Sequence, residues 1–181
     1  MNTDRNDKFS IFISSKSSKE QIKKIKIEEL TSNEKSSDLD SLCIKKDQVK
    51  QEILGFGGAF TESSSSIYKS LNSEKKKEII EAYFGHAGNQ YNMGRTHINS
   101  CDFSLENYAH CETPGDISLS TFSIERDKKM IIPFIKDAFK HSLNEIKILA
   151  SPWSPPAWMK TNNEMNNGGK LISKFQSSWA N

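Results

Sequence analysis

From Gln51 onward, short apolar runs alternate with stretches of helical periodicity. Gln51 to Gly58 is an apolar piece ending in a glycine turn, after which Thr61 can cap a helix to about Leu71. Ser73 caps a second helix, with Ile79, Ile80, Tyr83 and Phe84 on one face and Gly85 closing it. Tyr91 to Ile98 reads as a strand, and a loop of about 25 residues follows, from Asn99 to Arg126. Pro133 suits the first turn of a helix running to about Ser142, and Ile146 to Ala150 is a short strand. A last helix starts near Leu171, with Ile172, Phe175 and Trp179 on one side. Strands separated by helices at this spacing pair in parallel, as a doubly wound sheet or a barrel of which about three βα units are present.

Residues 1–50 differ. They hold no Gly and no Pro, and Phe9, Ile11 and Ile13 alternate before Ile25 and Ile27 stand among lysines. That period of two predicts a small β segment with a partly disordered start, and divides the chain into 1–50 and 51–181. Charge is nearly balanced at +2, which implies no nucleic-acid partner. No apolar run is long enough for a spanning helix. The three cysteines, Cys43, Cys101 and Cys111, are too few and odd in number for a disulfide framework. Asp4 and Asp7 stand where a signal peptide would be positive, so the residues alone point to the cytosol only by default.

Four segments offer chemistry. GFGG at 55–58 lacks the further glycine or Gly-Lys-Ser/Thr of a phosphate loop, and reads as a tight turn with positive φ. Arg95, late in a strand, either serves a ligand site at the strand ends or snorkels to the surface. Cys101, Asp102, His110 and Cys111 crowd one loop, but their spacing matches no zinc pattern and no metal is expected. Asp102 is either a ligand-facing carboxylate or an ordinary loop aspartate. SPWSPPAWMKTN at 151–162 joins two indoles to a proline-stiffened loop. Trp153, Trp158, Asp102 and Asn162 are suitable materials for a carbohydrate site, with one indole expected to plug the core instead.

GFGGAFTES, YNMGRTHINSCDFS, ETPGD, IPFIKDAF, ILASPWSPPAWMKTN and MNNGGKL, in that order, resemble family-30 glycoside hydrolases, most of all the glucosylceramidase group. The likeness covers residues 51–181. It implies a (β/α)8 TIM barrel, incomplete over 51–181, preceded by a β segment belonging to a β-sandwich side domain. It also implies retaining hydrolysis of a β-glucoside such as glucosylceramide, without metal or cofactor. A peripheral membrane-surface contact and a secretory or lysosomal setting go with it.

Carried over by position, Asp102 and Trp153 would hold the sugar hydroxyls, and Arg95 would support the nucleophile from a neighbouring strand. Thr96-His97 departs from the Val-Pro of the group. Retaining hydrolysis needs two carboxylates about 5–5.5 Å apart. The family's acid/base follows strand four in an Asn-Glu pair, and its nucleophile ends strand seven. Asn163-Glu164 sits in the wrong place, and Glu62, Glu106 and Glu112 lack the matching context. No catalytic residue is therefore assigned. The chain is expected to be an N-terminal portion of such an enzyme, inactive by itself. The alternative is a non-catalytic product with residual carbohydrate or lipid-surface binding.

Overall fold

A computed structural model describes residues 10–17, 22–25 and 45–181. The chain forms two units, Met1–Gln51 and Glu52–Asn181. In the first, β1 (Ile11–Ile13) pairs antiparallel with β2 (Lys23–Ile25), Ile11 opposite Ile25. The Ile22 amide donates to Ser14 Oγ at 2.8 Å. The expected strand pairing is seen over these few residues but not the alternation of burial, since Ile13 is exposed like Phe12; Phe9 and Ile27 lie outside the described ones.

The second unit is built on three parallel strands in the order β3 (Gly57–Phe60), β4 (Met93–Ile98) and β5 (Lys147–Pro152). Between β3 and β4 run α1 (Glu62–Ser70) and α2 (Ser73–Phe84). Between β4 and β5 come the long loop, then α3 (Glu125–Lys129) and α4 (Ile131–His141). This is the βα succession of a TIM barrel, strand, helices, parallel strand. After β5 a short 3-10 turn at Ala157–Met159 and another at Ser173–Phe175 lead into α5 (Gln176–Ala180).

Local chemistry explains most boundaries. Thr61 and Ser64 form a reciprocal capping box at the start of α1, each backbone amide received by the other's hydroxyl at 3.1 and 3.2 Å. For α2 the cap is Asn72, whose Oδ1 accepts the Lys75 amide at 2.9 Å, one residue before the expected Ser73. The expected glycine turn at GFGG is corrected. Gly57 and Gly58 open β3 in extended conformation, and the positive-φ glycines are Gly115, Gly168 and Gly169. Glycine is needed at 57 for closeness, since a Cβ there would collide with the Met93 carbonyl of β4. The last helix is also shorter than expected, beginning as a 3-10 turn at Ser173 instead of a helix at Leu171.

One face of the sheet packs on helices. Phe60 lies between Phe84, stacked at 5.7 Å, and Phe134, edge-on at 5.2 Å. Tyr68 stacks on Phe134 at 4.3 Å, and Ile80, Ile131, Ala138 and Ile146 complete the core. Gly94 faces the same layer, where a Cβ would press on the Phe60 ring and Ile148. The row Ala59, Arg95 and Leu149, aligned across the three strands, belongs to the opposite and exposed face. In a closed barrel that face is the interior.

Candidate carbohydrate-binding site

The C-terminal ends of parallel strands are where loops converge on a ligand. Here Phe60 leads to Thr61, Ile98 leads through three residues to Asp102, and Pro152 leads directly to Trp153. Asp102 and Trp153 both line a cavity of about 910 Å³, together with Ser100, Glu106, Lys160 and Asn166. Both also line a smaller cavity of about 170 Å³ with Thr61, Arg95 and His97. The structure thus brings Arg95, Asp102 and Trp153 together.

Each is left with capacity to bind. The Arg95 guanidinium lies over the Trp153 ring, 5.3 Å from its centroid, and donates to Ser151 Oγ at 3.3 Å. It is neither buried nor paired with a carboxylate among the described residues. Trp153 is 43% exposed, held by its backbone amide on the Ile98 carbonyl at 3.3 Å. The Asp102 carboxylate is exposed and accepts no hydrogen bond from any described residue. An exposed indole, a cation and an unengaged carboxylate on one cavity can stack on a sugar ring and accept from its hydroxyls.

The other two candidates have different tasks. Trp158 packs edge-on against Phe175 at 4.9 Å and donates its indole N–H to the Cys111 carbonyl at 3.0 Å, so it is the plugging indole. Asn162 lines neither of these two cavities. Its Nδ2 donates to the carbonyls of Asn166, Asn167 and Gly168 at 3.1–3.4 Å, closing the loop in which Asn167, Gly168 and Gly169 take left-handed backbone. Among the described residues no cluster of three His, Cys, Asp or Glu could hold a metal ion.

Beneath the Asp102 loop lies a buried polar network that the sequence reading passed over. Glu62, the first residue of α1, is 1% exposed. Its Oε1 receives Arg126 Nε at 2.6 Å and its Oε2 receives the Leu105 amide at 2.8 Å. Arg126 also reaches Glu106 Oε1 at 2.8 Å and lies 4.2 Å over the Tyr108 ring. The Glu62 and Glu106 carboxylates hold the guanidinium charged, well above its ordinary range, against the opposing effect of burial. Tyr108 donates to Asp127 at 3.1 Å, and burial, then the Asp127 charge, push its hydroxyl far upward.

The Glu62 amide donates to His97 Nε2 at 3.3 Å, which leaves His97 Nδ1 to carry the proton toward the Asn99 carbonyl at 2.6 Å. Asn99, in left-handed backbone, ties both sides together through the His110 amide at 2.9 Å and the Ser154 carbonyl at 2.9 Å. The signals in the sequence were modest: an acid in the first turn of a capped helix, and an asparagine at the end of a strand.

Residues 53–181 match the Glycosyl hydrolase family 30 TIM-barrel domain. The chain is 38% identical over 145 residues to the lysosomal acid glucosylceramidase of Mus musculus, covering 77% of this chain and 28% of that protein. It is 43% identical over 122 residues to putative glucosylceramidase 3 of Caenorhabditis elegans, covering 67% of this chain and 23% of that one. Among solved structures, SrfJ from Salmonella typhimurium superposes with a TM-score of 0.68 at 42% identity, over 72% of this chain and 29% of SrfJ. The chain therefore spans less than a third of the length of these relatives.

Proposed function

The chain belongs to glycosyl hydrolase family 30, and from that premise we propose that residues 52–181 hold the sugar of a β-glucoside in a retaining glucosylceramidase-like site. The observation that carries this reading is the convergence on one cavity of Arg95 from within β4 with Asp102 and Trp153 from beyond the ends of β4 and β5. Asp102 would accept hydrogen bonds from two sugar hydroxyls, Trp153 would donate or stack, and Arg95 would stand ready for the carboxylate nucleophile. Glucosylceramide is the substrate proposed, by analogy with the named relatives. Phe103 and Leu105, 60% and 56% exposed beside Asp102, offer apolar surface for its lipid part and for a membrane-surface contact.

The carboxylates lining the two cavities are Asp102 and Glu106, and Glu106 is engaged by Arg126. Neither is assigned as acid/base or nucleophile, which retaining hydrolysis requires as a close pair. The 181 residues alone are accordingly expected to bind a glucoside without turning over a fluorogenic one. Ligand-observed NMR with methyl β-D-glucoside tests the reading. Asp102→Asn should weaken binding roughly 10-fold or more, the loss of hydrogen bonds to a charged acceptor. Unchanged affinity in Asp102→Asn would sink the assignment.

A further inference from the structure

We propose that Glu62 is a positioning residue for this site: through Arg126 and the Leu105 amide, its buried carboxylate fixes the loop that presents Asp102. The inference rests on the sugar-binding reading of Asp102 given above.

Asp102 is held through its backbone. Its own side chain has no partner among the described residues, so its position is set entirely by the backbone on either side. On the preceding side, the Ser100 amide donates to the Tyr108 carbonyl at 2.9 Å, and the Cys101 amide donates to Ser104 Oγ at 3.0 Å. On the following side, the Phe103 and Ser104 amides turn back to Cys101, the Tyr108 hydroxyl reaches Asp127, and the other anchors come from the first turn of α1 and from Arg126. The Phe103 carbonyl accepts from the Ser63 amide at 3.0 Å and from Ser63 Oγ at 2.8 Å. The Leu105 amide is received by Glu62, and Glu106 and the Tyr108 ring are both held by Arg126.

Phe103 and Leu105 are more than half exposed, so apolar packing does little to hold this stretch. Directional hydrogen bonds do the holding, and Glu62 is the origin of those that fix Leu105 directly and Glu106 and Tyr108 through Arg126. A carboxylate this buried needs its cation and its amide donor, and each is therefore fixed relative to α1. The start of α1 is fixed by its capping box, and the amide of Glu62 is tied to His97 on β4. Asp102 is thereby referenced to the sheet that also carries Arg95.

The proposal predicts coupling. In Glu62→Gln the side chain can still accept from Leu105, but its amide group must then face the Arg126 donor. The loop should shift and the affinity for methyl β-D-glucoside should fall, by a factor of roughly 10, close to that of Asp102→Asn. The double variant should bind no more weakly than Asp102→Asn alone, since a displaced carboxylate and an absent one lose the same contact. A general structural role would instead make the two losses multiply.

Affinities that multiply, or a Glu62→Gln variant binding as the unaltered chain does, would overturn the proposal. Should Glu62→Gln fail to unfold cooperatively, Arg126→Lys serves in its place, keeping a cation beside Glu62 while removing the arm to Glu106 and the stacked plane. It should weaken binding roughly threefold, again without effect in the Asp102→Asn background. Unaltered binding by Arg126→Lys would then overturn the positioning role. If Asp102→Asn binds as tightly as the unaltered chain, the sugar-binding reading fails and the positioning role falls with it. Loss in Asp102→Asn alone removes only the role of Glu62.

Discussion

The two sides of the strand ends are held by opposite kinds of force. Between the sheet and α1, α2 and α4, the contacts are chiefly rings and aliphatic chains, Phe60 on Phe84 and Phe134, Tyr68 on Phe134, with one hydrogen bond from the Tyr68 hydroxyl to Asp137 at 2.7 Å. Under the Asp102 loop, the buried groups are Glu62, His97, Asn99 and His110, with Arg126 and Asp127 at the edge. Apolar packing is strong but has no preferred direction, so it sets how tightly elements pack and tolerates small shifts. A polar network adds little net stability, yet each bond fixes an angle and a distance. The comparison assigns stability to the helix side and geometry to the loop side.

The sharpest way to break this division is Phe134→Ala. Phe134 touches both Phe60 and Tyr68, and its loss should cost about 3–5 kcal/mol of unfolding free energy. Denaturant titration reads the loss. Glucoside affinity of the fraction that remains folded should be unchanged. A parallel fall in that affinity would show that the two regions are not separable.

The two tryptophans sharpen the same contrast within one loop. Trp158→Ala removes the edge-on contact to Phe175 and the donor to the Cys111 carbonyl, and should destabilise by about 3 kcal/mol. Trp153→Ala removes an exposed ring and its contact with Arg95, and should cost less than about 1 kcal/mol. Its effect should appear in glucoside affinity instead. Equal losses of stability in both variants would mean that Trp153 is a packing residue.

The sequence disclosed the βα order because each element carries its own period and cap, as at Thr61 and Gly85. It singled out Arg95, Asp102 and Trp153 because strand ends and unusual strings mark them, and the three line one cavity. It misplaced β3 because GFGG suggests turn chemistry, whereas the glycine at 57 answers a collision with Met93 that only pairing creates. Asn162 looked like a ligand contact because an amide serves a sugar and a left-handed turn equally well. Glu62 was passed over for a similar reason. Its partners, Leu105 and Arg126, lie 43 and 64 residues away, and no local pattern reports a contact at that distance.

The smallest effect expected concerns a polar cluster that serves its own loop. Asp116 Oδ2 accepts the Thr121 amide and hydroxyl at 2.7 Å each, and Oδ1 accepts from Ser118 and Ser120. The bonds from Thr121 hold its carboxyl far below the ordinary 3.8. A carboxyl lowered in the folded state contributes order that is fully present above its unfolded value and lost as pH falls below it. Hydrogen exchange over 116–121, corrected for intrinsic rate, should therefore stay slow from neutral pH down to about pH 4 and accelerate at lower pH. Asp116→Asn should accelerate it already at neutral pH, because one acceptor oxygen becomes a donor facing donors. Glucoside affinity should not move, because Asp116 lines neither cavity that holds Asp102. If it does move, directional bonding throughout the long loop, and not only at Glu62, sets the position of the site.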